Sequence, residues 1–264
     1  MPELAEVEWF RKQWDAGRGR EVIDVKALSS KYVFRGTDGN ALRQNLIDQK
    51  LLRSKRSGKQ MLFEFSGDNW LGIHLGMTGK TRVESSDFQS GKHDHLVLCQ
   101  RERALVFNDP RQLGQVRFHH GEDKPDWWKD RPPEIDSREF DQKFFNEFLG
   151  RHRKAPIKAA LLMQSGFPGI GNWMADEILW RAKVLPSKRI HKLTARERSA
   201  IFRATKWVVR RSLETLGKDF SDPPKSWLIH QKWKRGGICP IHRTPLRHAT
   251  VAGRTTAWCP KCQR

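Results

Sequence analysis

The chain has 264 residues, a length that suits two domains of ordinary size or one large domain. Its 50 lysines and arginines against 30 aspartates and glutamates give a formal net charge of +20. A field of that sign attracts polyanions, and nucleic acid is the first candidate, ahead of an anionic membrane surface. No apolar run approaches the ~18–20 residues that span a bilayer, and charges from Glu3 onward interrupt any signal peptide. We therefore expect a soluble, intracellular protein.

The first six residues, Met1-Pro2-Glu3-Leu4-Ala5-Glu6, allow two interpretations. A small residue at position 2 permits removal of Met1, which would leave the Pro2 nitrogen as a free secondary amine. An α-amino group titrates near pH ~7.7–8.0, so a fraction of it is a nucleophile at neutral pH and can form a Schiff base. Glu3 and Glu6 could move protons for it. In the alternative, Pro2 only begins a helix whose first turn favours acidic residues.

The pattern downstream predicts a helix and then strands. Leu4, Val7, Phe10 and Trp14 recur at helical spacing, and Gly17 is a suitable stop. Short apolar or alternating runs then predict strands at 22–25, 61–65, 70–75, 96–98 and 104–107. Turn residues separate these runs, which is typical of an antiparallel β-sandwich or barrel. Residues 121–136, rich in proline and tryptophan, have the composition of a linker.

Helical periods follow the linker. Ser137 is a candidate cap for a helix that carries Phe140, Phe144 and Phe148 and ends at Gly150. Residues 156–164 and 171–182 predict two more helices. A capping box, Thr194-x-x-Glu197, predicts the start of a long helix that runs to about Leu216.

Three of the four cysteines lie in the last 26 residues. Cys239-Pro-Ile-His242 is followed, after sixteen residues, by Cys259-Pro-Lys-Cys262. Two closely spaced pairs of sulfur and nitrogen ligands predict one closed, tetrahedral, structural Zn²⁺ site, with a two-stranded ribbon between the pairs. Cys99 stands apart, and we expect it to be a buried small hydrophobe.

Several loops could contact an anion or a duplex. Gly169, Gly171 and Asn172 join two predicted helices, where backbone N–H groups and a helix N-terminus favour a phosphate; an ordinary helix corner is the alternative. Gly253 and Arg254 fall at the tip of the predicted ribbon, where Arg254 could reach phosphates or could simply be solvated.

Two strand-end turns contain large side chains. Met77, Arg111 and Leu113 would be unusual there if exposed, and could fill the gap that a nucleotide leaves in a duplex; the alternative places Met77 and Leu113 in the core. Lys59 stands at the start of the strand predicted at 61–65. His93-Asp94-His95 resembles a metal-binding pair, but at a strand start we interpret it as structural.

Together these segments resemble the formamidopyrimidine-DNA glycosylase/endonuclease VIII family of base-excision repair enzymes. The resemblance spans nearly the whole chain: PELAEVE, GKQMLFEF, HLGMTG, KHDH, NDPRQLG, PGIGNWMADEILW and the terminal Cys/His hairpin. It implies an α+β multidomain fold, with an N-terminal helix and antiparallel β-sandwich, a helix–two-turns–helix domain and a zinc-ribbon hairpin. The implied boundaries are 1–122, a linker at 123–136, 137–228 and 229–264.

The resemblance also implies roles for individual residues. Pro2 is the implied Schiff-base nucleophile at C1′, Glu3 the general acid/base acting on the sugar, and Glu6 a supporting carboxylate. Lys59 is the implied phosphate contact that assists strand cleavage. The implied DNA contacts are Asn172 and Arg254 on phosphates, within motifs that include Gly169 and Gly171, and Met77, Arg111 and Leu113 in the gap left by the lesion.

The implied activity is excision of an oxidised base on double-stranded DNA, followed by β-elimination or by β,δ-elimination at the abasic site. The resemblance implies a monomer located in the cytoplasm or with a bacterial nucleoid. Gln112 stands where oxidised-purine enzymes of the family commonly have a second arginine, and the loop after Leu216 is short. Oxidised purines, formamidopyrimidines, hydantoins, oxidised pyrimidines and abasic sites therefore stay open as substrates. A zinc-containing binder of damaged or bent DNA without catalysis is the alternative function.

Overall fold

The computed structural model describes residues 1–264, which divide into two compact units. The first unit comprises Met1–Pro2 and Glu6–Arg131, and the second comprises Glu3–Ala5 and Pro132–Arg264. The division falls within the segment 123–136 that the sequence predicts as a linker. The finer domain boundaries stay predictions.

The first unit is built mainly from two four-stranded sheets. Its elements are α1 (Leu4–Gln13, whose first two residues group with the second unit), β1 (Asp24–Ala27), α2 (Gly39–Leu46), β2 (Leu51–Ser57), β3 (Gln60–Phe65), β4 (Asn69–His74), β5 (Lys80–Ser85), β6 (Asp94–Cys99), β7 (Arg103–Asn108), β8 (Gln115–His120) and α3 (Asp126–Lys129). One sheet has the order β2-β3-β4-β8 and the other β1-β6-β7-β5. All pairings are antiparallel.

One core lies between the two sheets. Phe63 and Leu71 from one sheet and Leu98 and Phe107 from the other belong to the same buried cluster. Residues of opposite parity point away from this core, as the two-residue repeat of a strand requires, and Leu62 is covered by Trp128 of α3. The β-sandwich prediction is therefore confirmed.

The second unit is mainly helical and ends in a hairpin. Its elements are α4 (Gln142–Arg151), α5 (Ile157–Leu161), α6 (Asn172–Ala182), α7 (Ala195–Glu214), α8 (Leu216–Asp219), α9 (Ile229–Lys232), β9 (Arg247–Val251) and β10 (Arg254–Trp258). The capping box of Thr194 and Glu197 is present, as predicted. The predicted cap of α4 is wrong: Asp141, not Ser137, accepts the Phe144 N–H at 2.7 Å. An ionised carboxylate next to the first turn is a strong cap, whereas Ser137 precedes the helix by five residues.

A small core joins the hairpin to α6. Trp180, near the end of α6, packs with Leu228, Cys239, Leu246 and Ala257. The hairpin therefore does not depend on a core of its own, which a two-stranded ribbon is too small to form. None of the helices combines the length and the apolar character needed to cross a membrane.

Candidate functional site

Glu3 is a buried carboxylate at the N-terminus of α6. The residue is 3% exposed. Its carboxylate accepts hydrogen bonds from the backbone N–H groups of Gly171 (2.9 Å), Trp173 (2.9 Å) and Met174 (3.1 Å). α6 has no side-chain cap of its own. Glu3 therefore satisfies N–H groups that have no partner within the helix, and the helix dipole stabilises its negative charge.

Gly169 and Gly171 make room for the N-terminal segment. A Cβ on Gly171 would lie 2.5 Å from Glu3 Cγ and nearer still to the carboxyl group, and one on Gly169 would lie 2.6 Å from Leu4 Cβ. Gly169 also has φ +87°, and its carbonyl accepts the Leu4 N–H at 3.0 Å. The Glu3 carboxylate thus occupies N–H groups of this helix N-terminus, and the phosphate contact of Asn172 stays a prediction.

Pro2 precedes Glu3 directly and is half-buried, while Met1 is 45% exposed. While Met1 is attached, the Pro2 nitrogen belongs to an amide and is not nucleophilic. Glu6 lies in the first turn of α1 and is also half-buried. In the first unit, the Phe10 carbonyl accepts a hydrogen bond from the Thr81 hydroxyl at 2.6 Å, which ties α1 to the sandwich.

Ion pairs add to this attachment of α1. Glu8 lies 2.8 Å from Arg11 and 3.6 Å from Arg56 of β2, whose side chain is 7% exposed. Burial opposes ionisation of Glu8, but the hydrogen bond and charge of Arg11, with the charge of Arg56, outweigh it and lower the pKa of Glu8. The carboxylate therefore stays charged and holds the helix against the strand.

Lys59 lies in a two-residue turn between β2 and β3, after Gly58 at φ +55°. Its positive charge acts on His74, at the end of β4. Burial, and then the charges of Lys59, Arg35, Arg117 and Arg131, lower the pKa of His74 to about 4. His74 is therefore neutral at pH 7, and its Nδ1 accepts the Gly76 N–H at 3.1 Å. A neutral histidine among four cations makes this region of the first unit suited to an anion.

The loops that carry Met77, Arg111 and Leu113 are held against each other. Buried Asp109 accepts hydrogen bonds from the Thr78 hydroxyl and from the Gly114 N–H, both at 2.7 Å. A Cβ on Gly76 would lie 2.5 Å from the Gly114 nitrogen, so the two backbones touch. Met77 is 37% and Leu113 42% exposed, which excludes the core alternative. Arg111 is exposed as well.

His95 has the structural role that we predicted for the His93-Asp94-His95 sequence. It is fully buried, and its Nε2 lies 2.9 Å from the Asp109 carbonyl oxygen. It thereby supports the same aspartate that joins the two loops. Cys99, which we predicted to be buried, is only partly so; it packs on an outer cluster of the sandwich and does not belong to a metal-binding group.

Asn172 and Arg254 are brought together across 82 residues of sequence. The Asn172 amide Nδ2 donates to the carbonyl of Thr255 at 3.0 Å, directly after Arg254. Arg254 is exposed and follows a tight turn, Ala252-Gly253, in which both residues have positive φ. Asn172 Oδ1 has no hydrogen-bond partner. The two candidate phosphate ligands thus lie on neighbouring elements of one unit.

A buried charge cluster lies beneath them. Asp176 of α6 holds the ammonium groups of Lys158 and Lys232, each 2.6 Å from one carboxylate oxygen, and all three side chains are at most 1% exposed. Lys158 also donates to the Thr256 hydroxyl at 2.8 Å, and Lys232 to the Asn172 carbonyl at 3.2 Å. Burial lowers the pKa of Lys158 even though Asp176 acts in the opposite direction. The cluster ties α5, α6, α9 and β10 together.

The predicted metal ligands converge. The ligand atoms of Cys239, His242, Cys259 and Cys262 all lie within 4.8 Å of one another, so this cluster could hold a metal ion. His242 Nδ1 is 3.6 Å from Cys239 Sγ and 3.8 Å from Cys259 Sγ. Burial opposes ionisation of Cys239, but N–H groups of His242 and the Trp180 indole lower its pKa to about 7. A thiolate, the form that binds metal, is therefore favoured there.

Two family models match the chain: the formamidopyrimidine-DNA glycosylase N-terminal domain over residues 1–116, and the formamidopyrimidine-DNA glycosylase H2TH domain over residues 132–222. The formamidopyrimidine-DNA glycosylase of Solibacter usitatus is 32% identical over the full length of both chains. The chain belongs to the formamidopyrimidine-DNA glycosylase family. The enzyme of that name from Pelotomaculum thermopropionicum is 31% identical over 100% of this chain and 99% of its own.

Solved structures of family members agree with this assignment. A Lactococcus lactis Fpg mutant, in complex with a Fapy-dG-containing DNA, superposes with a TM-score of 0.89, 28% identity and full coverage of both chains. Another Lactococcus lactis structure, bound non-covalently to DNA with an abasic site, gives 0.87, with 29% identity and 99% coverage of both chains. The fold of this chain is therefore that of the glycosylase family throughout its length.

Several residues of the site have no signal in the sequence. Asp176 and Lys232 are ordinary charged residues of helical segments, and only the folded chain buries them on one another. Asp109 and His74 lie within segments that resemble the family, but neither is predicted as a site residue. Their roles depend on contacts between distant segments, which a pattern of residues along the chain does not contain.

Proposed function

We propose that this glycosylase-family chain is a bifunctional DNA glycosylase and abasic-site lyase of base-excision repair, acting on duplex DNA that contains a damaged base or an abasic site. The single observation that carries the proposal is the placement of Glu3. Three backbone N–H groups hold the Glu3 carboxylate in place, directly after the half-buried Pro2. A terminal amine on Pro2 would therefore have a fixed carboxylate next to it in the chain as its proton-transfer partner.

In the proposed reaction, removal of Met1 frees the Pro2 amine, which attacks C1′ of the damaged nucleotide. A C1′–N bond forms as the bond to the base breaks, and the proton lost by the amine balances the one taken up by the base. Proton exchange between Glu3 and the sugar allows the ring to open to a Schiff base. Loss of a C2′ proton then expels the 3′ phosphate by β-elimination. Hydrolysis of the resulting conjugated Schiff base returns the amine, either directly or after loss of a C4′ proton has expelled the 5′ phosphate by δ-elimination.

The other residues would bind and orient the DNA. Lys59, with its neighbouring cations, suits a phosphate beside the lesion, and Asn172 and Arg254 suit a second phosphate. The paired loops present Met77 and Leu113 as apolar wedges, with Arg111 beside them, for the gap that an extruded nucleotide leaves. We expect binding to weaken steeply with added salt, because phosphate contacts release counterions.

We infer that the metal ion is Zn²⁺. Three sulfurs and one imidazole nitrogen are a closed structural donor set, and tetrahedral zinc places sulfur and nitrogen ligands about 3.6 Å apart. The distances from His242 to Cys239 and Cys259, 3.6 and 3.8 Å, fit that geometry. The ion would join the two ends of the β9–β10 hairpin and so hold Arg254 at its tip.

Borohydride trapping on a duplex with an abasic site tests the mechanism. We expect a covalent adduct that maps to residue 2, absent in Pro2→Gly while that variant still binds DNA, and mass spectrometry should find the active chain without Met1. Lys124→Ala, which removes an exposed amine of the first unit, should leave trapping unchanged. An active chain that retains Met1 would refute the Schiff base on Pro2. DNA binding without an adduct on any lesion would favour the non-catalytic binder.

A further inference from the structure

Trp233 differs from every other tryptophan of the chain. Of the eleven, it alone is exposed, with 61% of its surface in contact with solvent. An indole this large is normally buried to a considerable extent, since each aromatic side chain contributes strongly to a core or an interface. Its position at the end of α9, before the metal-binding hairpin, is therefore a candidate contact surface.

The ring of Trp233 is held in place by its neighbour. The ammonium group of Lys232 lies 4.3 Å from the centroid of the indole. Lys232 itself is buried, and Asp176 and the Asn172 carbonyl fix its ammonium at 2.6 and 3.2 Å. The ammonium group covers one side of the indole, and the rest of this flat, apolar ring is exposed. The cation–π contact orients the ring before any ligand binds.

The surroundings of Trp233 suit a nucleotide. Lys234 and Arg235, which follow it, are exposed cations. Through Lys232 the indole is linked to Asn172, whose two neighbours in sequence donate their N–H groups to the Glu3 carboxylate. A stacking surface with exposed positive charge is thus connected to the proposed proton-transfer group, Glu3, through Lys232 and the segment around Asn172 in the second unit.

We propose that Trp233 stacks on the base of the damaged nucleotide once that nucleotide has left the duplex; this inference rests on the proposed function. Aromatic side chains bind nucleobases through their faces without reading sequence, and cations beside the ring hold the phosphates. In an intact duplex each base face is covered by its neighbours. Only an unpaired base offers a face to Trp233, and the enzyme would supply that base at the site of Glu3.

Two duplexes that differ only in the base at the lesion test the stacking. One carries a formamidopyrimidine on a 2′-fluorinated sugar, which resists excision, and the other a tetrahydrofuran abasic analogue. Trp233→Ala should bind the first about 5- to 150-fold more weakly, the range that loss of a stacking aromatic costs, and the second with unchanged affinity. Trp233→Phe should recover most of the loss. Because the side chain is exposed, the thermal transition of both variants should match the wild type.

Lys234→Ala is the matched control, since it removes an exposed cation from the next position. It should weaken binding of both duplexes by the same factor and reduce the salt dependence. Equal effects of Trp233→Ala on both duplexes, or no effect on either, would overturn the stacking proposal. If the wild-type protein does not distinguish either duplex from undamaged DNA and forms no trapped adduct, the proposed function fails instead.

Discussion

Gly171→Ala is the substitution that most directly tests the role of Glu3. The added methyl group would lie 2.5 Å from Glu3 Cγ and closer to its carboxyl group, in a region where neither the carboxylate nor the helix backbone has space. The carboxylate must therefore leave the N–H groups of Gly171, Trp173 and Met174. Hydrogen bonds to a charged group contribute about 1.5–3 kcal/mol each, and water replaces part of them. We expect the free energy of unfolding to fall by about 2–5 kcal/mol.

The catalytic effect should be larger than the loss of stability explains. At a temperature where the variant is fully folded, displacement of the proposed proton-transfer group should lower the single-turnover rate of base excision about 10²- to 10⁴-fold. Urea unfolding and a quenched single-turnover assay on one lesion duplex measure the two effects separately. DNA binding at the same temperature shows whether the folded variant still recognises its substrate.

Gly150→Ala provides the matched control. Gly150 is exposed within α4, and a Cβ there would meet no atom within 4 Å. The substitution should stabilise the protein by about 0.5–1 kcal/mol through helix propensity, with no change in the excision rate. If Gly171→Ala instead behaves like Gly150→Ala in both assays, Glu3 is neither the cap of α6 nor a catalytic group in the position that we describe.

Three further predictions concern buried charge and the metal centre. Asp176→Asn leaves two buried ammonium groups without a carboxylate and should lower the free energy of unfolding by about 3–5 kcal/mol in urea titrations. The control Asp126→Asn changes a side chain that is 96% exposed and should alter the free energy of unfolding by less than about 0.5 kcal/mol. Burial raises the pKa of Glu177 to about 7, so the native state binds an extra proton between pH ~4.5 and ~7 and loses stability as the pH rises through that window. The free energy of unfolding of Glu177→Gln should therefore rise relative to that of the wild type by on the order of 3 kcal/mol between pH 5 and pH 8. A difference in unfolding free energy that stays constant with pH would contradict the raised pKa. Removal of the proposed Zn²⁺ by a chelator should release one ion per chain and weaken DNA binding before the sandwich unfolds, as followed by metal analysis and circular dichroism. Unchanged DNA binding by the metal-free protein would contradict the role proposed for the hairpin.

Signals confined to a few neighbouring residues were sufficient to predict several features. The capping box at Thr194 and Glu197 contains both partners of its hydrogen bonds within four residues, so the sequence alone determines where α7 begins. The predicted metal cluster also depends on residues that are close in sequence, since each pair of ligands is closely spaced and the ribbon between the two pairs is short. Short apolar or alternating runs likewise predicted five of the eight strands of the sandwich, because each of these strands contributes apolar residues to the core between the sheets.

The strands that the sequence does not reveal are those with little apolar surface. β2 reads LLRSKRS, and only its first and last residues are buried. β5 and β8 alternate charged or polar residues with few apolar ones. These segments become strands because neighbouring strands supply hydrogen-bond partners, a condition that is set by the sheet and not by the segment.

The first residues of the chain illustrate what tertiary structure adds. Pro2 and Glu3 in sequence are compatible with a simple helix start or with a nucleophile and its proton-transfer partner, and the choice depends on what surrounds them. The N–H groups that hold Glu3 come from residues about 170 positions away, and Gly171 matters because a carboxylate occupies the space of its missing side chain. Likewise, only folding buries ten tryptophans to some degree and leaves Trp233 in solvent. Sequence alone determined the residue types and local turns, whereas long-range packing decided which of them meet, because contacts between distant segments form only once the chain has folded.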